Sequence, residues 1–217
     1  MIKAIVFDFG RVVSAQKPMS LFYGYEEELG IEPGTLNPVM FGSPAWEDAL
    51  VGRKTSGQFW HTIGPQLNLH TPEAIDAFRQ RYHADEAVNE GVAALIRRLR
   101  AEGRYRLAVL SNSPPGLARW LDEWGLLDLF DVVFCSGDEG VRKPDPAAFA
   151  ITLERLGVAP GEAVFIDDTP GHVAAARSLG WKGILFTTAE ALEEELEAVL
   201  GSSTAPRQGR ATEESRK

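Results

Sequence analysis

The chain has 217 residues, enough for one large domain or for a core with a modest insertion at about 150 residues per domain. It is 44% hydrophobic, 24% charged and 9% aromatic, the balance of a globular protein, which excludes disordered and collagen-like chains. With 31 acidic and 22 basic side chains the formal net charge is -9, the wrong sign for a protein that grips a nucleic-acid backbone. The single Cys135 cannot close an internal disulfide. No apolar run approaches the ~18 residues of a membrane span, and no charged-then-apolar leader opens the chain. The expectation is a cytoplasmic protein with no nucleic-acid and no membrane partner; oligomeric state is not readable.

In chain order, Met1 to Asp8 (MIKAIVFD) is a short apolar run that ends in a carboxylate, with Gly10 close behind. This is the pattern of a buried strand stopping at a site. Residues 14–83 break the rhythm: they offer several short helical stretches punctuated by Pro18, Pro33, Pro38, Pro44, Pro65 and Pro72, and no clear strand. Their apolar residues, among them Phe22, Leu29, Trp46, Phe59, Trp60 and Phe78, suffice for a small core, so packing is the favoured reading for these aromatics over ligand contact. An all-helical insertion over 14–83 is expected.

Beyond it, Val88, Val92, Leu95, Ile96 and Leu99 recur at three- and four-residue spacing up to a stop at Gly103, which predicts a helix. RLAVLS (106–111) predicts a second strand. Pro114 or Pro115 opens a helix towards Trp124, with Ser113 as the expected N-cap. DVVFCS (131–136) predicts a third strand, Pro146 to Gly157 a helix, AVFID (163–167) a fourth strand, Val173 to Gly180 a helix and GILFTT (183–188) a fifth strand. Continuous apolar strands alternating with helices indicate βαβ units covered on both faces. The expected fold is therefore α/β: a Rossmann-like, doubly wound parallel sheet of five strands formed by 1–13 and 84–200, carrying the helical insertion. Residues 201–217, almost free of apolar side chains, are expected to form a disordered tail.

In an open parallel sheet, ligands bind at the carboxyl ends of the strands. Here those ends bear Asp8, then Ser111 and Asn112, then Lys143 in the loop after the third strand, then Asp167 and Asp168. Carboxylates crowded together repel unless a cation neutralises them, and an all-oxygen set suits a hard ion such as Mg²⁺. Lys143 and the donors at Ser111 and Asn112 favour a many-oxygened anion; a phosphoryl group fits.

With these residues in place, the sequence resembles the haloacid dehalogenase superfamily. VFDFGRVV matches its first motif, LAVLSNSPP the second, GVRKPDPAAF the third and FIDDTPGHVAAARSLGW the fourth, in the right order. The resemblance runs from about Met1 to Leu200 and fits the subgroup whose helical cap follows the first motif. It implies that Asp8 is the nucleophile of an aspartyl-phosphate intermediate. Ser111 would bind the transferring phosphoryl group and Lys143 would offset its charge. Mg²⁺ would be held by Asp8, Asp167, Asp168 and the carbonyl of Gly10. The implied activity is a Mg²⁺-dependent phosphatase acting on a small phosphorylated metabolite. The alternatives are a catalytically weak phosphate-binding or regulatory protein and a 2-haloacid dehalogenase, against which the paired acids count.

One departure stands out. Phosphatases of this superfamily usually carry a second Asp two residues after the nucleophile, as general acid and base, where this chain has Gly10; such a loss costs about 10²- to 10⁴-fold. Arg11 occupies a place normally held by a small residue and either touches the phosphate or covers the crevice. Of the four histidines, His61 and His83 lie in the insertion as the histidine candidates for a supplied proton. Cys135 reads as a buried small hydrophobe, and Arg53 and Lys54 as a solvated turn in preference to an anion contact.

Overall fold

A computed structural model describes residues 1–201. The core sheet contains β1 (Ala4–Phe7), β2 (Arg106–Ser111), β3 (Val132–Cys135), β4 (Ala163–Asp167) and β5 (Lys182–Leu185), all parallel, in the order β3-β2-β1-β4-β5. Five strands were expected and five form. The last is earlier than the 183–188 run suggests: it ends at Leu185, and Phe186 N–H donates to the Asp167 carbonyl at 2.9 Å.

Continuous apolarity has the expected cause, burial of both faces. Ile5, Phe7, Leu107, Val109, Val164 and Ile166 face one layer, packed against α6 (Glu90–Glu102), α7 (Leu117–Glu123) and α11 (Ala189–Gly201). Their neighbours Ala4, Val6, Ala108, Leu110, Ala163 and Phe165 face the other, packed against α9 (Pro146–Leu156) and α10 (Pro170–Ser178). Alternate residues of one strand thus serve two cores. A one-turn helix, α8 (Ser136–Glu139), follows β3.

Two expectations are corrected. The helix after β2 begins at Leu117, and Ser113 does not cap it: Gly116, with φ 102°, precedes the first turn. Consecutive prolines explain the delay, because a residue before proline is held out of the α region, and both Ser113 and Pro114 are in that position. Gly201, expected to open a disordered tail over 201–217, instead closes α11, and residues 202–217 lie outside the described residues.

Between β1 and α6 the chain forms only helices: α1 (Met19–Leu29), α2 (Leu36–Phe41), α3 (Pro44–Leu50), α4 (Ser56–Ile63) and α5 (Pro72–Ala84). They bury their own cluster, including Tyr25, Leu36, Phe59, Trp60, Ile63 and Phe78. Local chemistry sets several helix starts: Ser43, Thr55 and Thr71 each accept a backbone N–H at the first turn, and Thr55 N–H donates in return to Gln58 Oε1. Glu26, though buried, accepts from Gly34 N–H at 2.9 Å and Leu36 N–H at 2.8 Å, tying α1 to the α1–α2 loop.

The chain enters and leaves this helical unit side by side. Ser14 bridges Val88 in antiparallel fashion, Ala15 N–H donates to Ala87 at 2.8 Å and Asn89 N–H to Val13 at 2.9 Å. The far end docks on the core through an Arg142–Glu47 ion pair and through Gly52, where a Cβ would stand 2.2 Å from the Gly137 carbonyl oxygen. Gly52 has φ 74°, so turn geometry and close approach both require glycine.

Candidate active site

Parallel register puts the key groups at one edge. Phe7 lies opposite Val109 on β2 and Ile166 on β4, so Asp8, next along, neighbours Asp167; Asp8 N–H donates to the Ile166 carbonyl at 2.8 Å. The gap between β1 and β4 is where strand order reverses, since β2 and β3 lie to one side of β1 and β4 and β5 to the other. Such a switch point is where open α/β sheets bind ligands.

Lys143 is the centre of the arrangement. Its ammonium donates to Asp8 Oδ1 at 2.7 Å and to Asp167 Oδ2 at 2.6 Å, with the side chain 1% exposed. Asn112 fixes the lysine's backbone, its amide donating to the Lys143 carbonyl and accepting from the Lys143 N–H, each at 2.8 Å. Asn112, expected among the anion-binding donors, uses Oδ1 and one N–H of its amide on this loop and lines the cavity. Ser111, buried at the end of β2, lines the cavity beside Asp8 and Lys143.

Asp167 is fully buried and held by three further contacts: Thr169 N–H to Oδ1 at 2.8 Å, and His172 Nδ1 at 3.1 and 3.3 Å from its two oxygens. Burial alone would raise its carboxyl, but His172 and Lys143 outweigh that and hold it below the ordinary range. Asp8 goes the other way. Burial pushes it up to about 6, with Asp167 and Asp168 adding to the rise and Lys143 opposing it. Asp168 is paired with Arg11 at 2.7 Å. Arg11 has φ 59° in the tight loop over 9–13, and its N–H donates to Ser14 Oγ at 3.1 Å. Its side chain is 59% exposed and lines the cavity at the site acids.

Carboxylate oxygens of Asp8, Asp167 and Asp168 lie within 4.8 Å of one another. Three carboxylates against two cations leave the site net negative, and a hard divalent cation would turn it net positive; the donor chemistry fits Mg²⁺. Gly10 has an ordinary backbone, φ -65° and ψ 124°, and the nearest atom to an added Cβ is Asp8 Oδ2 at 3.9 Å. Nothing steric demands glycine here.

The site opens into a cavity of about 700 Å³ between core and helical unit. His83 lines it, but burial, with Lys17 and Arg79 nearby, lowers its imidazole to about 4, so it is neutral near pH 7. His61 is exposed on α4 beside Asp76 and is absent from the cavity wall. Arg53 pairs with Asp48 in an exposed turn, and buried Cys135 contacts Ser113 Oγ at 3.3 Å. Two features go unmarked by the sequence patterns. His172 opens α10 and turns back on Asp167; its place in the helical turn after the fourth-motif acids was the available signal. The other is Lys17, paired with Glu86 at 2.6 Å and 4.3 Å above the Tyr82 ring, for which no local signal exists.

A family model described as haloacid dehalogenase-like hydrolase matches residues 2–180. A sesquiterpene phosphatase of Aspergillus oryzae is 28% identical over 92% of this chain and 97% of its own length. A phosphoglycolate phosphatase of Cereibacter sphaeroides is 36% identical over 53% of this chain, which spans 58% of that protein. Two longer curated relatives are matched over 36% and 19% of their own length. Among solved structures, a Bacteroides thetaiotaomicron enzyme of the same family, crystallised with magnesium and inorganic phosphate, superposes with a TM-score of 0.70 at 20% identity, covering 87% of this chain and 96% of that one. Among the described residues no helix is long and apolar enough to cross a membrane.

Proposed function

This chain belongs to the haloacid dehalogenase-like hydrolases, and from that premise we propose that it is a Mg²⁺-dependent phosphatase working through an aspartyl-phosphate on Asp8. That it hydrolyses phosphate esters accords with phosphatase relatives that match over most or half of the chain. The observation that carries the finer reading is the cluster of Asp8, Asp167 and Asp168 around Lys143 at the switch point of the sheet. A dehalogenase attacking carbon has no need of the paired acids.

Asp8, Asp167, Asp168 and the Gly10 carbonyl would hold Mg²⁺, which supplies charge neutralisation so that an anionic nucleophile can meet an anionic substrate. The protein's own groups do the rest. An Asp8 carboxylate oxygen bonds to phosphorus as the ester oxygen departs with its electron pair, and a proton completes the alcohol. Lys143, already on Asp8, offsets charge on the phosphoryl oxygens, and the Ser111 hydroxyl donates to one of them. Water then cleaves the acyl phosphate, regenerating Asp8 and releasing inorganic phosphate. His172, Thr169 and Asn112 are positioning residues: the first two orient Asp167 and the third anchors the Lys143 loop. No acid stands at position 10 to protonate the leaving alcohol, so the family's usual rate advantage from that group is missing.

The test is hydrolysis of p-nitrophenyl phosphate. It is expected to require Mg²⁺ and to fall by at least about 10³-fold in Asp8→Asn. Equal rates in EDTA, or in that variant, refute the reading.

A further inference from the structure

The relatives' names span a terpenoid and a two-carbon acid, so the organic part of the substrate has to be read from the cavity itself. A wall of rings begins at the residue next to the proposed nucleophile. Phe9 stacks on Trp124 at 5.4 Å with 18° between planes, Trp124 meets Trp120 at 6.1 Å, Trp120 meets His83 at 5.1 Å, and His83 reaches Trp60 at 6.1 Å and Tyr82 at 5.9 Å. The wall therefore crosses from core to helical unit without a break. The rings run on from Trp60 through Phe59 at 5.6 Å to Trp46 at 5.3 Å and Phe41 at 5.2 Å, which also line the cavity, Phe41 being 43% exposed.

Polar groups in the same cavity are largely spent on the protein. Asn112 holds the Lys143 backbone, Ser113 Oγ meets Cys135, Ser14 Oγ accepts from Arg11 N–H and His172 holds Asp167. Gln16, Asn37, Ser56, the Tyr82 hydroxyl and the ring N–H groups of the wall remain, but the faces of the rings offer no hydrogen bond to a sugar hydroxyl, which loses water on binding and needs replacement. The cations lie away from the Phe9–Trp124–Trp120 rings: Arg11 and Lys143 sit among the site acids at the phosphate end, and Lys17 pairs with Glu86 over the Tyr82 ring. With His83 neutral, nothing in the wall pairs with a second phosphate.

We infer that the substrate is the monophosphate of an apolar alcohol, whose hydrocarbon body lies along the Phe9–Trp124–Trp120 wall. The inference rests on the phosphatase reading for its phosphate end and on the wall for its body.

It is tested with the full chain, Mg²⁺ and a series of propyl, hexyl and decyl phosphate below their micelle concentrations, which share one type of leaving group, beside glycerol 3-phosphate and p-nitrophenyl phosphate. kcat/KM is expected to climb by about threefold per methylene until the wall is covered, with glycerol 3-phosphate below hexyl phosphate. Trp120→Gln is expected to flatten the climb and Trp120→Phe to keep it. A flat series, or glycerol 3-phosphate ahead of decyl phosphate, overturns the inference, and so does a climb that Trp120→Gln leaves intact. Failure of the phosphatase reading is recognised separately, by no Mg²⁺-dependent turnover of p-nitrophenyl phosphate. The series is then read as binding, by tryptophan fluorescence. Kd falling with chain length upholds the apolar site, and a constant Kd refutes it.

Discussion

The two ends of the cavity are built on opposite plans. At the core end, charged groups from β1, the β3–α9 loop and β4 are locked together, Lys143 bridging carboxylates on two strands at 2.7 and 2.6 Å. At the helical end, rings packed 5 to 6 Å apart make the wall, and its one buried ammonium, Lys17, is already neutralised. The first end is rigid because every charge has a fixed partner, which suits a reaction that depends on position and electrostatics. The second end is apolar and shape-based. On the proposed reading, chemistry and selection fall to different ends of one cavity, with the wall drawing Phe9, Trp120 and Trp124 from the core and Trp60, Tyr82 and His83 from the helical unit.

The hardest test of that separation is Lys143→Met. It leaves Asp8 and Asp167 buried without their ammonium, so urea unfolding should show a loss of about 3–5 kcal/mol, and phosphatase activity should fall by at least about 10³-fold. A variant with near-normal stability would mean that the core end is less dependent on this lysine than the geometry implies. Next comes Gly10→Asp. The ordinary backbone and open space at Gly10 predict a folded protein, with turnover of alkyl phosphates raised by up to about 10²-fold through protonation of the leaving group. p-Nitrophenyl phosphate, whose leaving group needs no proton, should gain little. Equal gain on both would point to a change in phosphate binding.

Without divalent cation, Asp8 should also give the core end a pH signature. Its folded-state value of about 6 lies above the ordinary 3.8, so the folded form binds the proton more tightly. Stability then declines as pH rises from about 4 to about 6 and stays lower above that, by about 2–3 kcal/mol. Asp167 moves the opposite way, its contribution being lost only as pH falls below the ordinary carboxyl value, whereas His83, lowered to about 4, adds stability as pH rises over the same interval as Asp8, so the Asp8 contribution is read as a difference between native chain and variant. Urea titrations in EDTA should show the native chain losing stability relative to Asp8→Asn as pH rises from about 4 to about 6. The smallest effect is expected at the helical end. Glu26→Gln replaces an acceptor of two backbone N–H groups and should cost about 1–3 kcal/mol. Its p-nitrophenyl phosphate turnover at saturating substrate should match that of the native chain; a large loss there would show the two ends to be coupled.

Much of the core was legible for a physical reason. Strands buried on both faces leave continuous apolar runs, and the runs at 4–7, 106–111, 132–135 and 163–167 are all strands. The end of β5 and the start of α7 were not, because strand termination depends on pairing and two prolines hold the chain extended past Ser113. α11 gave a weak signal, since only Leu192 and Leu196 of its glutamate-rich face are buried. Site residues on strand ends were legible individually. Their partners were not: Arg11 on Asp168, His172 on Asp167 and Asn112 on Lys143 are choices among several polar groups within reach.

By itself, then, the sequence determined the alternation of strands and helices, the inserted helical unit and the acids at the strand ends. Local periodicity and the parallel connection rule are enough for those, because a parallel sheet brings the carboxyl ends of its strands to one edge. Only the tertiary structure decided which groups at that edge are bonded, and that Phe9, Trp120 and Trp124 of the core meet Trp60, Tyr82 and His83 of the helical unit in one wall. Spacing along a helix says which face is covered. What covers it depends on how two separately formed cores dock, and that is set by contacts such as Gly52 on Gly137 between residues far apart in the chain.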